Sequence, residues 1–184
     1  MFRLFLGALV ALTCAAADQD GFVLIQGGRL LSGGASVRVE PFEILDHAVT
    51  NAEYRIFVER TGHTPPLHWQ DGRIPSGMEN MPVIFVNRYD VDDYIRWRSK
   101  ADGRLYRLPS PAEFEYASRA GSDAAVYPWG KESPAGKANY DAAGDRMPAQ
   151  WRQYLKPVKS YPSNPWGLYD MAGNVWQMLW TDQD

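Results

Sequence analysis

Sulfur and imidazole are scarce in this sequence. One cysteine, Cys14, and three histidines, His47, His63 and His68, are spread over 184 residues. Cys14 lies in an apolar N-terminal run, so residues 18–184 hold no thiol for a disulfide, a thiolate metal site or a cysteine nucleophile. The His63–His68 spacing matches no standard zinc pattern, and all three histidines read as loop residues. No sign of charge dominates. The net charge is −3 and the basic residues are scattered, which excludes a global field that would attract nucleic acid. There is no G-x-S-x-G elbow and no G-x-x-x-x-G-K-[ST] loop, so neither an α/β-hydrolase triad nor P-loop chemistry has support. The apolar run Leu4–Ala17 is too short to span a bilayer as a helix. Internal repeats, low-complexity tracts and linkers are also missing, and the length suits one domain.

That short apolar run has its own reading. Arg3 supplies a positive start, and Ala15-Ala16-Ala17 offers a small-residue cleavage site. Residues 1–17 are therefore expected to be a signal peptide and residues 18–184 the exported domain, secreted or periplasmic, with no membrane span after cleavage. A lipoprotein leader acylated at Cys14 is the rival reading, and Thr13 is a poor residue to precede such a cysteine. Export normally favours disulfides. Without them the fold must rest on its core, to which seven Trp and ten Tyr contribute, with a metal as the other candidate support.

The element pattern is α+β. Gly21–Gly28 reads as a short strand closed by glycines, and Val37–Leu45 as a second strand with an edge or bulge at Pro41. Thr50 and Glu53 form a capping box that starts a helix ended by Gly62. Residues 63–81, rich in Pro and Gly, form a long loop that is either functional or a surface insertion pinned by Trp69. Pro82–Val86 is expected to be a buried strand, and Asp90 to cap a second helix ended near Gly103. Ser110, Pro111 and Glu113 start a third helix, along which Glu115 meets Arg119 one turn on. A tight Asp170-x-x-Gly173-Asn174 turn precedes Val175–Trp180, which reads as a buried strand.

Five segments carry a family resemblance. Asn164-Pro165-Trp166-Gly167-Leu168-Tyr169-Asp170-Met171-Ala172-Gly173-Asn174-Val175-Trp176 resembles the signature of the formylglycine-generating enzyme (sulfatase-modifying factor) family. Val49-Thr50-Asn51-Ala52-Glu53-Tyr54, Pro82-Val83 with Tyr94 and Trp97, Arg107–Ala117 and Tyr127-Pro128-Trp129-Gly130 are similar to its other motifs, in the same order. The resemblance implies an irregular C-type-lectin-like fold with short strands, two or three helices and long loops.

The resemblance also implies structural calcium. One family site corresponds to Asp170, the carbonyls of Gly173 and Val175, and a glutamate where this chain has Gln177. A second corresponds to Asn139 and the Tyr140 carbonyl plus an aspartate; Asp141 and Asp145 are near in sequence but misplaced. Gln177 keeps an oxygen but removes a charge, and calcium affinity follows ligand charge. The family oxidase uses a copper-binding cysteine pair from a segment beyond the last motif, and no counterpart lies in these 184 residues, so copper is not expected here. The leading expectation is a non-catalytic binding or structural domain with a protein or peptide partner, its C-terminal part missing. The alternative is a fragment of a copper-dependent oxidase that converts a sulfatase cysteine to formylglycine. A third reading is a lectin-like binder that uses Trp69, Trp129 and Trp166.

Overall fold

The structure is a computed structural model and describes residues 21–140 and 154–181. The leader, Asp141 and Asp145 lie outside the described residues. Four short strands and three helices follow one another: β1 (Phe22–Ile25), β2 (Gly28–Ser32), β3 (Ala35–Val39), β4 (Phe42–Leu45), α1 (Asn51–Thr61), α2 (Arg88–Asp102) and α3 (Pro111–Ser118). β2 and β3 make a hairpin over the Gly33-Gly34 turn, with Leu30 opposite Val37. β1 pairs antiparallel with β4, with Val23 opposite Ile44. The two ladders share a strand run expected as one: Val37–Leu45 breaks at Glu40-Pro41, because proline cannot donate to a ladder and the chain changes partner there.

All three helices start on capping boxes. Thr50 and Glu53 cap α1, and Ser110 and Glu113 cap α3, with Pro111 in its first turn. α2 begins earlier than Asp90. Asn87 is its N-cap and Asp90 closes the box from the third helical position. Both residue types cap well and stand three apart, so sequence alone favours the wrong member of the pair. Gly62 and Gly103 end α1 and α2 in left-handed conformation, at φ 72° and 66°. α3 ends at Ser118, before Gly121.

Two apolar clusters hold these elements. The first is largely aliphatic: Val23, Ile25, Leu30 and Val39 from the strands meet Tyr116 and Ala117 of α3 and Leu168 of the C-terminal loop. The second is aromatic: Tyr54 and Phe57 of α1, Tyr94 of α2 and Trp69 of the long loop, with Trp97 at its edge. Tyr54 stacks on Tyr94 with ring centroids 5.4 Å apart, and Phe57 meets Tyr94 edge-on at 5.6 Å.

Two expected strands do not form. Pro82 makes an isolated bridge with Thr50 and the Val83 N–H bonds the Val49 carbonyl, but the chain bends at Phe85, whose φ is 56°, so 82–86 is irregular loop beside the α1 cap. Residues 175–180 are also irregular. Trp176 is 83% exposed, and Met178 and Trp180 are exposed too, whereas the sequence pattern predicts burial. A strand is defined by its partner. Here one backbone bond, from Trp180 N–H to the Pro109 carbonyl, ties the segment to the loop before α3. No described helix is long and apolar enough to cross a membrane.

Candidate functional site: the C-terminal turn and the cluster at Asp46

The motif turn is as tight as its residue types require. Asp170, Gly173 and Asn174 have φ of 50°, 82° and 65°, the left-handed region that Gly, Asn and Asp tolerate best. The turn packs on the loop around Asn139. The Asn174 N–H donates to the Asn139 carbonyl at 2.7 Å, and Asn139 Nδ2 donates to Asn174 Oδ1 at 3.0 Å and to the Tyr154 carbonyl at 2.6 Å. A methyl at Gly173 would collide with the Asn139 carbonyl, so this close approach needs glycine. The two residue sets assigned to separate calcium sites are thus neighbours, 35 residues apart in sequence and joined by hydrogen bonds.

The donor set for calcium is thin. Asp170 is the one carboxylate in it. Its Oδ2 accepts the Lys159 N–H at 2.9 Å. Burial pushes this carboxyl above its ordinary pKa, against the pull of the Lys159 amide and the His47 charge. The Gly173 carbonyl accepts the Val175 N–H at 2.8 Å. Gln177 turns its amide N–H toward the Asp170 carbonyl at 3.1 Å. Its amide group is therefore engaged with the loop backbone. Tyr140 is exposed on the rim. Among the described residues no group of three or more His, Asp, Glu or Cys side chains could hold a metal ion. One carboxylate among neutral oxygens fits a low-affinity calcium site and no more.

Beside the turn lies a cluster that no motif announces. Asp46 is 5% exposed at the end of β4. Its Oδ1 meets His47 Nδ1 at 2.5 Å and its Oδ2 meets Lys159 Nζ at 2.8 Å. His47 Nε2 faces Glu53 Oε2 at 3.5 Å, on the oxygen that also accepts the Thr50 N–H and hydroxyl at 2.7 Å each. The Tyr169 N–H donates to the Asp46 carbonyl at 2.8 Å, and Lys159 Nζ lies 5.3 Å from the Tyr169 ring centre. His47 is indeed a loop residue, but it is held between two carboxylates.

Two buried asparagines fix the surrounding loops. Asn51 Oδ1 accepts His68 Nε2 and Trp69 Nε1, each at 2.9 Å, and its Nδ2 donates to the Met78 carbonyl. This pins the long loop 63–81 to the start of α1, so Trp69 is an anchor. Asn164 Nδ2 donates to the Ala117 and Ser118 carbonyls at the end of α3, while its Oδ1 accepts the Trp166 and Leu168 amides. Neither role is visible in the sequence, because every partner of Asn51 and the α3 partners of Asn164 are distant along the chain. Of the tryptophans expected to line a binder's surface, Trp69 is packed inward at 7% exposed, whereas Trp166, edge-on to Tyr116 at 5.2 Å, and Trp129, stacked on Tyr127, are partly buried.

The fold and the motif turn together define a class. The chain belongs to the family of the sulfatase-modifying factor enzyme 1-like domain, whose model matches residues 10–184. It is 31% identical over 188 residues to the formylglycine-generating enzyme of Streptomyces coelicolor, covering 77% of this chain and 58% of that protein. It is 28% identical over 222 residues to the inactive C-alpha-formylglycine-generating enzyme 2 of Mus musculus, covering 90% of this chain and 69% of that one. Among solved structures, PvdO from Pseudomonas aeruginosa aligns with a TM-score of 0.69 at 28% identity, over 88% of this chain and 71% of that one. CarF aligns with a TM-score of 0.66 at 24% identity, over 86% of this chain and 78% of that one, a likeness of fold. The chain accordingly has the irregular α+β, C-type-lectin-like fold of these proteins.

Proposed function

We propose that these residues form a cell-envelope domain, secreted or periplasmic, with a binding or structural role and no formylglycine-generating activity of its own. One observation carries the reading: Cys14 is the only cysteine, and it sits in the apolar leader. Oxidising a substrate cysteine through a copper–thiolate site needs protein sulfur that ionises, and methionine cannot supply it. Location follows from the leader's pattern of Arg3, apolar run and Ala15-Ala16-Ala17. A relative named as inactive, at an identity close to those of relatives named as enzymes, makes a non-catalytic domain an ordinary outcome in this family. The rival reading, one piece of a copper-dependent oxidase, is favoured by the Streptomyces coelicolor match, of which this chain spans 58%.

The test is an assay of residues 18–184 with copper, oxygen and a peptide bearing a Cys-x-Pro-x-Arg motif. Peptide mass is expected to stay unchanged relative to a copper-only control. Conversion of the peptide cysteine to an aldehyde above that control would overturn the reading. For the ion, calorimetry on metal-free protein should show weak calcium binding that Asp170→Ala abolishes and Gln177→Glu tightens, since the glutamate restores a charged ligand. Binding unchanged by Asp170→Ala would place the ion elsewhere.

A further inference from the structure

We propose that Asp46, His47, Glu53 and Lys159 form a proton-dependent latch, which clamps the Lys159–Tyr169 segment to the N-terminal end of α1 and slackens when His47 loses its proton. The geometry is a chain of four groups, Lys159–Asp46–His47–Glu53, in which cationic and acidic groups alternate when His47 is protonated. Asp46 uses both carboxylate oxygens, on His47 at 2.5 Å and Lys159 at 2.8 Å, and His47 spans from Asp46 to Glu53. The Asp46 side chain is 7% exposed and that of His47 13%, so solvent screens that pair little, whereas Lys159 at 39% and Glu53 at 32% reach solvent from either end. The segment's own backbone is part of the clamp, through the Tyr169 N–H on the Asp46 carbonyl and the Lys159 N–H on Asp170.

The charged groups around His47 come from each element that packs on it. β4 supplies Asp46, α1 supplies Glu53, and the C-terminal loop supplies Lys159 and, at longer range, Asp170. The start of β1 contributes only Gly21, which is uncharged. With His47 protonated, Asp46, Glu53, His47 and Lys159 balance. With His47 neutral, Asp46 keeps only Lys159 as a cationic partner, and half-buried Glu53 faces an uncharged ring.

The direction follows. Burial favours the neutral imidazole, but hydrogen bonding to Glu53 and then to Asp46 outweighs it and raises the His47 pKa above 6.5. A histidine raised on folding adds stability that is complete below its unfolded pKa of about 6.5. That stability is lost as pH rises through the folded value. The latch is therefore closed below about 6.5 and weakens as pH rises through the folded value above it. Lys159 also holds a left-handed backbone at φ 62°, a conformation a lysine adopts at a cost. Its ion pair with Asp46 offsets that cost, which couples the segment's backbone to the charge balance.

The experiment is a pH series on the full chain with two readouts. The His47 imidazole is titrated by NMR, and exchange protection of the Tyr169 and Lys159 amides is followed after correction for intrinsic rates. Protection of both amides is expected to fall through the same midpoint at which His47 titrates, above 6.5. In His47→Gln, protection should be lower in acid and flat across that range, and Lys159→Met should lower it at every pH. His63→Gln controls for the histidine that pairs with Asp90. A His47 midpoint at or below 6.5, or protection in wild type that ignores that midpoint, would overturn the proposal. Should His47→Gln not fold, the wild-type titration and exchange still decide it.

Discussion

Asn51 and Asn164 do the same task with different partners. Each is buried, each joins a helix end to a loop, and each fixes a loop that has no regular structure. Asn51 stands at the start of α1 in the aromatic half, and its oxygen is bonded to two side chains, His68 and Trp69. Asn164 stands at the end of α3 in the aliphatic half, and its oxygen and nitrogen are bonded to backbone groups alone. The first arrangement depends on specific neighbours, since only side chains with N–H donors can fill it. The second depends on chain path, since any residue can supply a backbone amide. A loop held in the first way is sensitive to its distant side-chain partners as well as to the asparagine. A loop held in the second way is sensitive to the asparagine alone.

The largest effect is expected at Asn51. Asn51→Ala removes the acceptor shared by His68 Nε2 and Trp69 Nε1 in a buried site, and one of the two donors to the Met78 carbonyl, which keeps the Met81 N–H at 3.2 Å. An unsatisfied buried polar group costs about 1–3 kcal/mol, so taking the acceptor from two donors costs on the order of 3 kcal/mol. Whole domains are stable by about 5–15 kcal/mol, so denaturant melts should show much of the margin gone. A loss below about 1 kcal/mol would mean the loop repacks freely, against the anchoring role.

Asn164→Asp should cost less, and it should depend on pH. Aspartate keeps the oxygen that accepts the Trp166 and Leu168 amides. It loses the donor to the Ala117 and Ser118 carbonyls and sets a negative charge against the C-terminal end of α3. Roughly 2 kcal/mol is expected near neutrality. The loss should shrink as pH falls and the carboxyl regains a proton that it can donate. Melting curves at neutral and acid pH separate this from a lost packing contact, which would not respond. Trp69→Phe is milder still. It removes the indole N–H while keeping a ring in the aromatic cluster, leaves Asn51 Oδ1 bonded to His68, and should cost about 1 kcal/mol.

The same contrast explains what the sequence reveals. Capping boxes are local, so Thr50–Glu53 and Ser110–Glu113 are legible from residue type and spacing of three. The family turn is legible because Gly and Asn at fixed offsets imply left-handed backbone. The apolar run 175–180 misleads because apolarity predicts burial only where a partner surface exists. The Asp46 cluster is hidden for the opposite reason. Lys159 meets Asp46 across 113 residues, and neither a lone lysine nor a lone histidine carries a signal in one sequence. Only the contact between β4 and the C-terminal loop makes them a group.

A pH-dependent effect, and the one that ties the α1 cap to the rest, concerns Glu53 in acid. Burial opposes its ionised form, but the His47 hydrogen bond and then the Thr50 backbone and hydroxyl donors hold its pKa down to about 2. A carboxylate depressed on folding adds stability that is full above its unfolded value of 4.5 and is lost as pH falls toward about 2. Below 4.5 the unfolded chain binds a proton that the folded chain refuses. Glu53→Gln keeps an oxygen for the Thr50 donors and removes the titration, so its stability should fall less steeply across that window than the wild type's. His47 is protonated throughout it, so the difference isolates Glu53. The Arg107–Glu113 pair at the α3 cap provides the reference. Glu113 is also held below its ordinary range, first by Arg107, but the arginine is more than half exposed. Solvent screening weakens such a pair, so Glu113→Gln should flatten the acid limb less than Glu53→Gln does. Urea melts of both variants and the wild type between pH 2 and 5 decide the order, in the window set by these two carboxylates. Equal slopes for Glu53→Gln and the wild type would show that the cap at α1 does not carry its charge into the folded state.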